Sequence, residues 1–138
     1  MMEEQEMKQP ERSQGDQPPA ISAEEFMALT DMVGADMPEV LVDLLDTYLE
    51  ESAGLISALA AANTPATRDQ MMRPAHSLKS SSASVGALRL SQLCADLESF
   101  LRGYGAPLDV DQQVRQIEAE FVRVREALEA EKAKLTAS

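Results

Sequence analysis

The chain has no tryptophan, two tyrosines and three phenylalanines. Any core it builds must be aliphatic, with eight methionines as adaptable filler. Its single cysteine, Cys94, excludes an internal disulfide and fits a reducing compartment. Cations are scarce: 12 Lys and Arg stand against 24 Asp and Glu, for a formal net charge of −12. Nucleic-acid binding needs many Lys and Arg to displace counterions, so this balance argues against it, and the same deficit disfavours an anionic membrane surface. No apolar run approaches the roughly 18 residues that span a bilayer. The first residues, MMEEQEMKQ, lack the apolar centre of a signal peptide. These absences predict a soluble, cytoplasmic protein without nucleic-acid or membrane partners. No segment alternates with the period of a strand, which leaves an all-α chain.

Residues 1–20 are polar, rich in glutamine and interrupted by Pro10, Pro18 and Pro19; they are expected to be a disordered tail. Residues 21–135 read as one helical domain. Ser22 and Glu25 have the spacing of a capping box and open a short helix with Phe26, Leu29 and Val33 inward, closing at Gly34. Asp36 and Glu39 give a second capping signal, with Pro38 in the first turn, and the helix after it runs to about Ala62 on a stripe of Leu41, Leu45, Tyr48, Ser52, Leu55 and Leu59. Thr64 and Pro65 read as the start of a third helix, which Pro74 should bend. Gly86 marks a corner. The fourth helix aligns Leu90, Cys94, Leu97 and Leu101 and ends at Gly103 and Gly105. Asp109 caps the last, whose stripe runs from Val110 through Val114, Ile117, Phe121, Val124 and Leu128 to Leu135, fraying near Lys132. Four long helices with short connections predict an antiparallel up-down-up-down four-helix bundle, the short N-terminal helix capping one end.

The third helix carries the only histidine, His76. Met71, Ala75, Leu78, Ser82 and Val85 form its buried line, and the hydroxyl of Ser82 is expected to bond back to a backbone carbonyl. His76 lies about 100° from Ala75 and about 200° from Leu78, off that line. Arg73, Lys79 and Ser80 share its face, as do Met72 and Ala83, the candidate partner contacts. Charge is uneven: residues 21–67 hold nine Asp or Glu and no Lys or Arg, whereas residues 68–89 hold Arg68, Arg73, Lys79 and Arg89 against Asp69 alone. The one locally basic segment therefore surrounds the one imidazole, and such a patch suits a dianionic group.

One His and one Cys are too few for a structural zinc site, and the Glu-x-x-His signature of di-iron bundles is absent, so no metal is expected. There is no G-x-S-x-G nucleophile elbow and no Gly-rich phosphate loop. What remains is His76 as a nucleophile that takes a phosphoryl group from an activated donor. Lys79 would offset part of the added charge of about −2. Mg²⁺ and the acceptor carboxylate would then belong to a partner, the chain itself needing no cofactor.

The run His76-Ser-Leu-Lys79-Ser-Ser-Ser-Ala-Ser-Val-Gly86-Ala87, followed by Leu90, Cys94 and Leu97-Glu98, resembles the histidine-containing phosphotransfer (HPt) domain family, over roughly residues 22–130. The family's pattern is His-x-[Leu/Phe]-Lys-Gly-Ser, then an aliphatic residue and Gly. The resemblance implies His76 as phospho-acceptor, Lys79 as its charge support and Gly86 as the helix-turn glycine. It implies a phosphoryl carrier without its own ATP site, working between a hybrid sensor histidine kinase or receiver-domain aspartate and a response regulator. A monomer is expected. The family's Gly after the lysine is Ser80 here, which should alter docking selectivity, and Pro74 before the histidine is unusual. The competing reading is a helical module that binds receiver or kinase domains without carrying phosphate.

Overall fold

The computed structural model describes residues 17–137. Its elements are α1 (Ala23–Val33), α2 (Pro38–Ala61), a 3₁₀ turn (Arg68–Met71), α3 (Met72–Ser84), α4 (Leu88–Leu101) and α5 (Val110–Thr136). No strand occurs among the described residues. The long helices close a ring in which α2 packs on α3, α3 on α4, α4 on α5, and α5 returns to α2. This is the expected antiparallel bundle. The aliphatic stripes meet at its centre, where Leu45, Leu59, Leu78, Leu90, Ile117 and Leu128 are fully buried. Burying such side chains is worth about 1.5–3 kcal/mol each, and this offsets the entropy lost in ordering the helices. No helix among the described residues is long and apolar enough to cross a membrane.

Short-range signals set several boundaries. Ser22 Oγ accepts from the Glu25 N–H at 3.3 Å, and Asp109 Oδ1 from the Gln112 N–H at 3.2 Å, as the capping patterns predict. Gly86 has φ +86° at the α3–α4 corner, and its carbonyl accepts the Ser22 N–H at 2.8 Å. That bond seats the start of α1 on this corner, while Phe26 and Met27 face Ala127 and Leu135 of α5 across a cleft. The short helix thus covers one end of the bundle.

Other boundaries differ from the sequence reading. Met37, not Asp36, precedes α2, and no side chain caps it. The third helix begins at Met72 rather than at Thr64. Thr64 and Thr67 bond hydroxyl to hydroxyl at 2.6 Å, and Thr67 Oγ1 donates to the Ala62 carbonyl at 2.8 Å. These local bonds hold a turn where a helix was expected. Pro74 consequently falls in the first turn of α3, where its missing N–H costs little, instead of bending a helix from within. The hydroxyl of Ser82 pairs with Tyr48 Oη of α2 at 2.8 Å, not with a carbonyl of its own helix. In α2 it is Ile56 that is buried, with Leu55 only partly so. Helix α5 continues to Thr136 past the expected fraying point, and Lys132 bridges Asp46 of α2.

Of the expected tail, residues 1–16 lie outside the described residues. Its end is packed: Ala20 is buried, and the Pro18 carbonyl accepts from Arg123 Nη2 at 2.7 Å.

Candidate functional site

Ala75 and Leu78, both fully buried, fix the roll of α3 and leave His76 between them on the side towards α4. Its side chain is 55 % exposed. Imidazole Nδ1 lies 2.9 Å from Oε2 of Glu98, a carboxylate of α4 whose side chain is only 6 % exposed. Two further groups converge on this acid. Lys79 Nζ is 2.8 Å from Oε1, while Arg102 donates to Oε2 from Nε at 3.0 Å and from Nη2 at 2.8 Å. A carboxylate on the inner side of a helix is tolerable only with such partners. The Lys79 ammonium foremost, then Arg102 and His76, hold its pKa down at about 2 against the opposing effect of burial. The same contact raises the pKa of Arg102.

Glu98 decides the chemistry of the ring. Ionised at neutral pH, it can only accept hydrogen bonds, so a neutral His76 must place its proton on Nδ1. The lone pair is then on Nε2, which has no hydrogen-bond partner among the described residues. The imidazole also lines a shallow cleft of about 310 Å³ with Met72, Arg73 and Arg102.

The expected site residues are placed as follows. Lys79 is one turn from His76 and already paired with Glu98. Arg73 is exposed at the cleft, and Met72 is half-buried beside it. Ser80 and Ala83 are exposed one and two turns farther along the same face. Gly86 closes the helix at the corner. The basic segment, however, does not act as one patch. Arg68 turns to Asn63 Oδ1, at 3.2 and 3.3 Å. Arg89 turns to Glu120, 3.6 Å away on α5. Arg102 takes their place from outside the segment.

Glu98 and Arg102 were not singled out from the sequence. Their signal is an acid directly after Leu97, on the buried side of a stripe, with an arginine four residues on. Cys94 is fully buried on the same helix, and burial pushes its thiol up to about 12, so it is an inert core residue. A larger, apolar cleft of about 440 Å³ lies between α1 and α5 and includes none of the residues around His76. Among the described residues no group of three or more His, Cys, Asp or Glu could hold a metal ion.

The Hpt domain family model matches residues 43–134. The chain is similar to the crystal structure of histidine-containing phosphotransfer protein B (HptB) from Pseudomonas aeruginosa PAO1, at 29% identity and a TM-score of 0.72, over 86% of this chain and 98% of that one. No curated protein matches the chain.

Proposed function

The chain belongs to the Hpt domain family, and we propose that the phosphoryl group it relays is carried on Nε2 of His76. Histidine phosphotransfer in a phosphorelay is its function, as a phosphocarrier rather than a kinase. The observation that carries the assignment to His76 is a half-exposed imidazole whose Nδ1 is engaged by a buried carboxylate.

In the forward step the Nε2 lone pair attacks the phosphorus of a receiver's aspartyl phosphate or of a kinase's phosphohistidine. The N–P bond forms as the donor's bond to phosphorus breaks, and the donor keeps that electron pair. The ring becomes cationic as Nε2 bonds. Its single N–H proton stays on Nδ1, where Glu98 stabilises the developing charge without itself accepting the proton. Lys79 supplies positive charge near the incoming dianion. The return step runs the same path backwards onto another receiver. In this reading Mg²⁺ and the acceptor aspartate come with the partner, and the chain contributes no ATP site. It acts as a cytoplasmic monomer that meets receiver domains and a hybrid sensor kinase across Met72, Ser80 and Ala83.

The test is incubation with a phosphorylated receiver or kinase. Acid-labile label should appear on the wild-type chain and be absent from His76→Gln. Label that persists in that variant refutes the assignment. Binding without any label would instead leave the non-phosphorylated interaction module.

A further inference from the structure

We infer that Arg102 and Arg73 form an anion subsite that holds the phosphoryl group once it is on His76. This rests on the assignment of phosphate to His76 and adds two ligands to it. The two guanidiniums come from different helices, Arg73 from α3 and Arg102 from the end of α4, and both line the cleft that His76 lines. Its remaining wall is Met72.

Arg102 has donors to spare. It spends Nε and one proton of Nη2 on Glu98, which leaves Nη1 without a partner among the described residues, on a side chain 43 % exposed. A guanidinium presents five N–H groups in a rigid fork. It can therefore keep one edge on Glu98 and offer the other to a phosphoryl oxygen, which a lysine, as a single point charge, cannot do equally well. Arg73 is exposed, and no ion pair engages it among the described residues.

The charge count supports the same conclusion. Three cations, Arg73, Lys79 and Arg102, surround His76, and Glu98 is the only anion paired with the group. In a chain of formal charge −12 this leaves a local surplus of two positive charges. A phosphoryl group bringing about −2, on a ring that turns cationic as it bonds, adds a net charge of about −1, which this surplus attracts.

The experiment uses the full chain with phosphoramidate as the donor. Nε2 attacks phosphorus, the P–N bond to the amide nitrogen breaks, and ammonia leaves. ³¹P NMR then follows the protonation of the phosphoryl group with pH. Arg102→Gln and Arg73→Gln should each move that titration up by about half a pH unit, the order of effect of losing one unit charge a few ångströms away across water. Arg102→Lys should recover only part of the shift. A wild-type titration that Arg102→Gln leaves in place overturns the inference, even if that variant is less stable, because a purely structural arginine would change the melting temperature and not the phosphorus signal. Should Arg102→Gln not fold, Arg73→Gln decides alone, since that side chain is exposed. No phosphohistidine signal on the wild-type chain, or one retained in His76→Gln, would overturn the assignment to His76 instead.

Discussion

Substituting Glu98→Gln isolates the charge at the centre of the site while keeping its shape. Counting the whole depression from the ordinary 4.5 to about 2, at about 1.4 kcal/mol per pH unit, sets a ceiling of about 3 kcal/mol. The three donors are 33 %, 43 % and 55 % exposed. Water screens them, so the expected loss at pH 7 is about 1–2 kcal/mol, or about 5 °C in melting temperature for a chain of this size. The pH dependence has a definite sign. Folding lowers this carboxyl's pKa, so between pH 2 and 4.5 the unfolded chain binds more protons than the folded one. The contribution is complete above about pH 4.5 and disappears as the pH falls towards 2. Urea unfolding of both proteins at pH 7, 4.5, 3 and 2.5 should show the gap between them closing over that acid range. A gap that stays constant from pH 7 to 2.5 would refute the reasoning, since the amide would then have cost something other than the charge. The substitution also lets an amide N–H face the ring, which admits the other tautomer, and phosphoryl uptake should slow accordingly.

Two other substitutions test the frame that holds the site. Gly86→Ala places a Cβ 3.2 Å from the Ser22 carbonyl oxygen and 3.2 Å from Glu25 Cβ, on a backbone of φ +86°; a loss of about 1–3 kcal/mol is expected in urea unfolding. Hydrogen exchange should at the same time accelerate in α1, and equal protection of α1 in both proteins would contradict its anchoring at this corner. Ser82→Ala removes the Ser82 partner of the buried Tyr48 hydroxyl and should cost about 1–2 kcal/mol, whereas the double variant with Tyr48→Phe should cost less than the two single changes together. Strict additivity in that cycle would mean the pair is not coupled.

The bundle was readable because each long helix repeats one aliphatic stripe, and Leu41 to Leu59 or Val110 to Leu128 can face only one way. His76 was readable for the complementary reason: it falls off its helix's stripe. What was not readable depends on contacts between distant residues. Thr64 has the credentials of a helix cap, but Thr67 competes for the same hydroxyl, and propensity alone does not rank the two. Likewise Tyr48 and Ser82, 34 residues apart, satisfy each other across helices, and neither sequence neighbourhood announces it.

Charge was read along the chain, as density near His76, although the helices pair it across the chain. The pairing has a simple register. Gly86 is the fold point between α3 and α4, and Ser91 Oγ donates to the Lys79 carbonyl at 2.8 Å, five residues after the corner meeting seven before it. By that register His76, ten residues before Gly86, stands opposite a position about eight after it, at the buried Cys94. One turn farther along α4, Glu98 is the acid that continues the inward side of the helix and reaches the ring, while Asp96 is exposed. Arg102, one turn beyond, then reaches back to the same carboxylate, as an i to i+4 pair does on any helix. Arg89, only three residues past the corner, is carried to the far end of α4 and out of reach of the imidazole. Pairing α3 with α4 across the corner at Gly86 thus separates the arginine that serves His76 from the one that does not, which local charge density cannot do.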